Sequence, residues 1–246
     1  MKIIGISGRK QAGKNTVANY INGDILKRKE MITEFYIDDE GKLIVQTVNN
    51  DGESGYGEFD VTRKDNAFLE YARKELWPYI KVYHFADPLK DMAINLFGLN
   101  PDHVYGTDEE KNMPTDLKWK DMPLSTKKSG NPTVREFLEH FGTGIVRKIK
   151  NNAWSKYSMK KLTMEDPEIA VIPDVRFPNE VEAIQAEGGV VIRLSRDVFN
   201  SQAQPEMALD KDNFDWSKFN LVIDNDNITI ETLCELLKAN DQMWRI

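Results

Sequence analysis

The sequence predicts an α/β fold with a central parallel five-stranded sheet flanked by helices, plus a small β-hairpin insertion. Three observations carry that expectation. Short apolar runs alternate with stretches of helical periodicity along the chain. Each run is apolar throughout, as in strands buried on both faces of a parallel sheet. One stretch, 34–62, breaks the alternation with hairpin chemistry. With 246 residues, 40% of them hydrophobic and 30% charged, the chain is long enough for one domain carrying an elaboration.

The first run, 2–7, is followed by a glycine-containing turn and a helix with Val17, Ile21 and Ile25 at four-residue spacing. In the insertion, Glu34–Asp38 and Leu43–Val48 flank the turn Asp39-Glu40-Gly41, and Asn49–Gly57 has the composition of a flexible loop. Strand Lys81–Phe85 leads to a helix that Asp87 caps, Pro88 opens and Gly98 ends, with a stripe of Leu89, Met92, Ala93, Leu96 and Phe97. Residues 98–132 are rich in Pro, Gly, Asp and Lys and read as a long mobile excursion. Thr133–Glu136 is a capping box, opening a helix with Val134, Phe137, Leu138 and Phe141 on one face. Three further strands, 169–172, 190–194 and 219–223, complete the sheet. A helix near Pro178–Glu187, a polar stretch 195–217 and a final helix with Ile230, Leu233, Leu236 and Leu237 separate and follow them. No repeat at periods of 20–50 residues is present. The expected organisation is a single domain over 1–246, with the insertion at about 31–66 and a candidate lid at 195–217.

Composition narrows the function. Against 33 Lys and Arg stand 40 Asp and Glu, a net charge of −7. That disfavours a protein that coats nucleic acid or rests on an anionic membrane surface. No apolar run approaches the ~20 residues that span a bilayer, and the N-terminal apolar stretch is too short for a signal peptide. The single Cys234 excludes an internal disulfide framework and reads as a buried structural thiol beside Leu233, Leu236 and Leu237. A soluble cytoplasmic protein is expected. His84, His103 and His140 share no metal-ligand spacing.

The sharpest motif follows the first strand: Gly8, four residues, Gly13-Lys14, then Asn15 and Thr16. This is the phosphate-binding loop pattern with its hydroxyl one position late. Glycines let the backbone turn N–H groups around phosphate oxygens, and the next helix presents its positive end to the same anion. Lys14 supplies a mobile cation for the β and γ phosphates. A second signal is the apolar strand ending at Asp174, a carboxylate that could serve magnesium or the acceptor. Arg176, at a strand's C-terminal end, can reach the ligand crevice of an open α/β sheet, or it can pair with Glu180 on the surface. On the acceptor side, Lys90 follows a strand, Arg135 lies in the first turn of its helix, and Lys10 sits within the loop. Trp154 reads equally as core or as a base-stacking ring. Arg193 and Arg196 flank a polar segment that reads as a lid or as a solvated loop.

Taken in order, these pieces resemble the deoxynucleoside monophosphate kinases of tailed bacteriophages and their relatives. The match runs through Gly8–Thr16, Phe85–Lys90, Thr133–Thr143 with Arg147 and Trp154, Pro173–Arg176, Val190–Arg193, Pro205-Glu206 and Ile223–Asn225. The resemblance implies a P-loop kinase fold and transfer of the ATP γ-phosphoryl to a deoxynucleoside monophosphate, with Mg²⁺ as cofactor. It implies that Gln11, Ala12, Gly13, Lys14, Asn15, Thr16, Val17 and Arg176 face the ATP phosphates, with Thr16 serving magnesium through the nucleotide. Lys10, Leu89, Lys90, Arg135, Gly142, Thr143, Trp154 and Asp174 would build the acceptor site, with Lys14, Arg176 and Asp174 as the catalytic group. Family members suggest a homodimer, no nucleic acid or membrane partner, and a location in host cytoplasm for a phage-encoded chain. Three departures stand out: Gly144 replaces a frequent Asp, Pro205 replaces a common Ser or Thr, and the insertion is absent from the shortest members.

Two rivals remain. A dephospho-coenzyme A kinase-like enzyme would share the fold and an anionic acceptor. A nucleotide-binding switch would need Asn-Lys-x-Asp after a strand, and the nearest string, Thr62–Asp65, lies in the insertion. A phosphate oxygen is already a competent nucleophile, so charge neutralisation and positioning would carry the rate. Lys14→Ala is therefore expected to cut turnover by several powers of ten with the fold intact; near-normal turnover in a steady-state assay would contradict this mechanism.

Overall fold

The computed structural model describes residues 1–48, 52–127, 129–198 and 204–245, with the Gln204 side chain excepted. In chain order its elements are β1 (Lys2–Ser7), α1 (Lys14–Arg28), β2 (Phe35–Ile37), β3 (Leu43–Val48), β4 (Ser54–Glu58), α2 (Asn66–Tyr71) and β5 (Ile80–Val82). Next come α3 (Asp87–Asn95), α4 (Pro101–Tyr105), α5 (Asp108–Lys111), α6 (Val134–Glu139), α7 (Arg147–Ile149) and α8 (Ala153–Glu165). β6 (Ile169–Val175), α9 (Pro178–Ala186), β7 (Val190–Leu194), α10 (Gln204–Met207), β8 (Leu221–Ile223) and α11 (Ile230–Ala239) complete the chain. They divide into two compact units, Met1–His84 with Lys161–Ile246, and Phe85–Lys160.

The first unit holds the five-stranded sheet in the order β5-β6-β1-β7-β8, every pairing parallel. Ile3, Ile4, Ile6, Ile169, Ile172, Val191 and Ile192 are fully buried, as continuous apolar strands require when helices cover both faces. α1 packs its Val17, Ile21, Ile25 and Leu26 into this core, and α11 adds Leu233 and Leu237. Cys234 lies half-buried against the same core, where burial pushes its thiol up to about 11. The register between β1 and β6 slips between Gly5 and Ser7, opposite Pro173 and Asp174. Pro173 cannot donate to a ladder, so a proline in a central strand is accommodated by this irregularity.

The insertion is larger than a hairpin. β2, β3 and β4 form a separate three-stranded antiparallel sheet, with Gln46 opposite Tyr56 and Thr47 opposite Gly55. β4 occupies the end of the Asn49–Gly57 segment expected to be a loop; residues 49–51 of that segment lie outside the described residues. The strand was hidden because it is a mostly exposed edge with no apolar alternation; its pairing with β3 is joined by the Tyr36–Tyr56 ring contact and the Lys42–Glu58 ion pair. The sheet leans on α1 at Gly23, where a Cβ would press into the Phe35 ring and Leu43.

In the second unit, Ala93, Leu99, Val104, Val134 and Phe137 form a small core. Phe137 and Phe141 stack at 5.6 Å, with Phe97 edge-on to both. The Thr133 capping box forms as expected, Thr133 Oγ accepting from the Glu136 N–H at 3.2 Å and Glu136 accepting the Thr133 N–H at 2.9 Å. Two expectations change. Ala86, not Asp87, occupies the N-cap of α3, because Asp87 already has helical backbone with Pro88 behind it. Leu96 lies beyond the helix end and is exposed. The stretch 98–132 contains α4, α5 and a 3₁₀ turn at Trp119–Asp121, with residue 128 outside the described set. After α6 the chain widens into a π-helix, His140–Val146, and the expected apolar residues Val134, Phe137, Leu138 and Phe141 still pack in one cluster. Among the described residues no helix is long and apolar enough to cross a membrane.

Candidate active site

β1 is the central strand, so its C-terminal end opens at the middle of the sheet edge where ligands of α/β folds bind. From Ser7 the chain turns through Gln11 (φ 59°) and Gly13 (φ 92°), both left-handed, before α1 begins at Lys14. Gly13 meets this demand without cost, whereas Gln11 adopts it against the usual preference of a side-chain-bearing residue. Gly13 is the N-cap and supplies no side-chain cap, and the first turn carries no acidic residue. The opening N–H groups and the positive end of α1 are thus suited to an anion. The loop is braced from behind: Asn225 Nδ2 donates to the Ala12 carbonyl at 2.7 Å, and Asn225 Oδ1 accepts from the Arg196 N–H at 3.0 Å.

Lys14 folds over this turn, its ammonium donating to the carbonyls of Gly8 (2.8 Å) and Arg9 (2.6 Å). Burial is the main cause that lowers its pKa to about 8; Arg176 and Arg193 lower it further, while Glu206 and Asp174 oppose. Among the other loop residues, Gln11 and Asn15 are exposed, Ala12 and Val17 are buried, and Thr16 is half-buried. Val17 contributes packing, and its N–H already donates to the Gly13 carbonyl at 3.1 Å. The Thr16 hydroxyl faces Gly41 of the insertion, where any Cβ would collide with Oγ1. Asn19 Nδ2 fixes that approach by donating to the Gly41 carbonyl at 2.8 Å.

Three arginines surround the loop, each held by carboxylates. Arg176 pairs with Glu206, and the other Glu206 oxygen accepts from the Lys10 N–H at 2.6 Å. The alternative reading of Arg176, a surface pair with Glu180, is not what forms: the guanidinium goes to Glu206. Glu180 is buried and its carboxylate accepts the backbone N–H groups of Arg176 (2.8 Å) and Phe177 (3.1 Å), opening α9. Arg9 donates to Asp210 at 3.2 and 2.5 Å and to Asp197 at 2.6 Å, which raises its pKa. Arg193 is no lid arginine. It is buried in β7, donates to Ser7 Oγ at 2.9 Å and Asp210 at 3.2 Å, and lies 5.0 Å from the Trp216 ring centre. Burial lowers its pKa despite Asp210. Of the expected lid, residues 199–203 lie outside the described residues.

The second unit brings Leu89, Gly142 and Trp154 together. Leu89 packs where a Gly142 Cβ would stand, and Trp154 Nε1 donates to the Gly142 carbonyl at 3.3 Å. Trp154 also walls a cavity of about 640 Å³ with Met92, Leu96, Val146 and Tyr157, so its ring is both packed and part of an opening. Gly142 and Thr143 lie in the π-helix, a widened turn found often at functional positions. Lys90 Nζ lies 4.5 Å above the Tyr105 ring. Arg135 donates to Asp108 at 2.6 Å and Asn112 at 3.2 Å, so its charge is already engaged.

Sequence reasoning overlooked Arg9, Asp210 and the brace from Asn225. Arg193 carried a usable signal, a charge inside the apolar run Val190–Leu194, which a buried strand tolerates only with partners. Asp210 offered none, because its role depends on long-range contacts to Arg9 and Arg193.

The depressed Lys14 pKa has a consequence for anion binding. A phosphate beside the ammonium favours its charged form and raises the pKa above about 8. Below that pH Lys14 is protonated before and after binding; above it, binding must take up a proton. Affinity for inorganic tripolyphosphate is expected to carry a Lys14 contribution that weakens above pH 8. Calorimetry at pH 8.5 in buffers of different ionisation enthalpy should register proton uptake, and no uptake would contradict the assignment.

A family model described as deoxynucleotide monophosphate kinase matches residues 2–236. A curated protein of Acanthamoeba polyphaga mimivirus, named "Putative deoxynucleotide monophosphate kinase", is 33% identical over 114 residues, covering 46% of this chain and 58% of the relative. The chain thus spans a little over half the length of that relative. With a buried central strand, a lysine-bearing anion turn and a match over almost its full length, the chain belongs to the deoxynucleotide monophosphate kinase family.

Proposed function

We propose that this chain transfers the γ-phosphoryl group of ATP to a deoxynucleoside monophosphate, giving the diphosphate and ADP. The observation that carries this reading is the turn from β1 into α1: uncapped N–H groups, with Lys14 lying over the Gly8 and Arg9 carbonyls and Arg176 nearby in charge. The family match supports the acceptor class.

In this reading residues 11–17 cradle the donor phosphates through backbone N–H groups. Lys14 leaves its two carbonyls to follow charge onto the β–γ bridging oxygen as the bond to phosphorus breaks. Arg176 neutralises charge on the transferred group. An acceptor phosphate oxygen attacks without a general base, since it is ionised at neutral pH. Of the residues expected on the acceptor side, Leu89, Lys90, Arg135, Gly142, Thr143 and Trp154 belong to the second unit and Lys10 and Asp174 to the first. Arg135 must exchange Asp108 for the acceptor phosphate.

Thr16 offers a hydroxyl and Asp174 a carboxylate, both hard oxygen donors. That chemistry suits Mg²⁺ held mainly by phosphates and not by a protein cage. Thr16 and Asp174 would hold it, and when bound it supplies charge neutralisation across the phosphates. A cytoplasmic location, in a host cell for a phage-encoded chain, belongs to the same reading.

The test is an ADP-release assay with MgATP over a panel of acceptors: the deoxynucleoside monophosphates, their ribose counterparts and dephospho-coenzyme A. ATP-dependent conversion of at least one deoxynucleoside monophosphate is expected. Turnover with dephospho-coenzyme A alone, or with no acceptor, would overturn the proposal.

A further inference from the structure

Glu206 carries a largely enclosed carboxylate that the mechanism above does not use. Its side chain is only 10% exposed, and its two carboxylate oxygens have separate tasks. Oε1 takes the Arg176 guanidinium, and Oε2 takes the backbone N–H of Lys10 inside the loop at 2.6 Å. Arg176 is fixed at its other end as well, since its own N–H donates to the buried Glu180 carboxylate at 2.8 Å. With the backbone set by Glu180, the direction of the long side chain is set by Glu206.

The carboxylate does not come from a loosely attached segment. A few residues beyond α10, Asp210 makes a second attachment to the same region, accepting from Arg9 at 3.2 and 2.5 Å and from Arg193 at 3.2 Å. Arg193 is itself anchored on Ser7, the last residue of β1. Residues 206 and 210 thus tie this part of the chain to the loop at two points, through carboxylates that engage the three arginines. Arg176 reaches Glu206 through Nη1, a charge-assisted contact that sets where the guanidinium lies, and a catalytic cation misplaced by about 1 Å can cost 10²-fold in rate.

We propose that Glu206 is a positioning residue: by bonding Arg176 and the Lys10 N–H together, it aims the Arg176 guanidinium at the phosphates bound by the loop. This deepens the reading given under Proposed function and rests on it for the identity of the phosphate donor. The two other roles open to a carboxylate here make different predictions. A competitor would occupy the guanidinium until phosphate displaces it. A structural staple would support the fold without altering what Arg176 does.

A double-substitution cycle on the full chain separates them, with inorganic tripolyphosphate as the titrant and kcat/KM for ATP in the acceptor assay as the second readout. In the parent, Arg176→Gln should weaken tripolyphosphate binding on the order of tenfold, as loss of a charge-assisted contact does. In a Glu206→Gln background the same substitution should weaken it by under about twofold, because the guanidinium is no longer aimed. Glu206→Gln alone should weaken tripolyphosphate binding several-fold and lower kcat/KM for ATP on the order of tenfold. An equal Arg176→Gln penalty in both backgrounds would overturn the proposal in favour of a staple, and a larger one in the Glu206→Gln background would overturn it in favour of a competitor. Should Glu206→Gln fail to fold, Glu206→Asp, which keeps the charge but shortens the reach, replaces it in the cycle with the same criteria. The titration needs no acceptor. Strong coupling without phosphorylation of any deoxynucleoside monophosphate would therefore reject the activity while retaining the positioning role.

Discussion

Between Ser7 and Lys14 the chain has to leave a buried strand, reverse through two left-handed residues and enter a helix with no side chain to cap it. A turn of that kind exposes N–H groups and concentrates the positive end of α1, and it would be costly if left unsupported. Much of the first unit's polar architecture serves to hold it. Asn225 braces the Ala12 carbonyl, Lys14 uses the Gly8 and Arg9 carbonyls, and Glu206 takes the Lys10 N–H. The same groups that stabilise the turn also define where an anion can sit, so the local fold and the binding chemistry share one set of contacts.

Charge explains a second layer. A chain with net charge −7 concentrates Arg9, Lys14, Arg176 and Arg193 around one loop, then offsets them with Asp197, Glu206 and Asp210. The offset is incomplete at Lys14, whose ammonium is disfavoured by burial and by two arginines. A bound anion beside the ammonium would offset that cost by favouring its charged form.

The parallel sheet was legible because apolar runs buried on both faces leave an unambiguous mark, and the loop because its glycine and lysine spacing has few other uses. What escaped did so for physical reasons. β4 is an exposed edge strand without alternation, so its pairing with β3 leaves no trace in hydropathy. Arg176 lies four residues before Glu180, but Glu180 bonds backbone N–H groups while a carboxylate 30 residues away takes the guanidinium. Trp154 is a buried ring tied to Gly142 that also walls a cavity, a placement that sequence alone could not show. Gly41 gained meaning only from the close approach of the insertion to Thr16, a contact between segments that no local pattern encodes.

The central claim is that the turn after β1 recognises a polyphosphate, with the nucleoside secondary. Calorimetric titration of the full chain with ATP, ADP, AMP and adenosine in the presence of Mg²⁺ tests this most directly. Affinity should climb with phosphate number and be highest for ATP; adenosine or AMP binding as tightly as ATP would contradict the account.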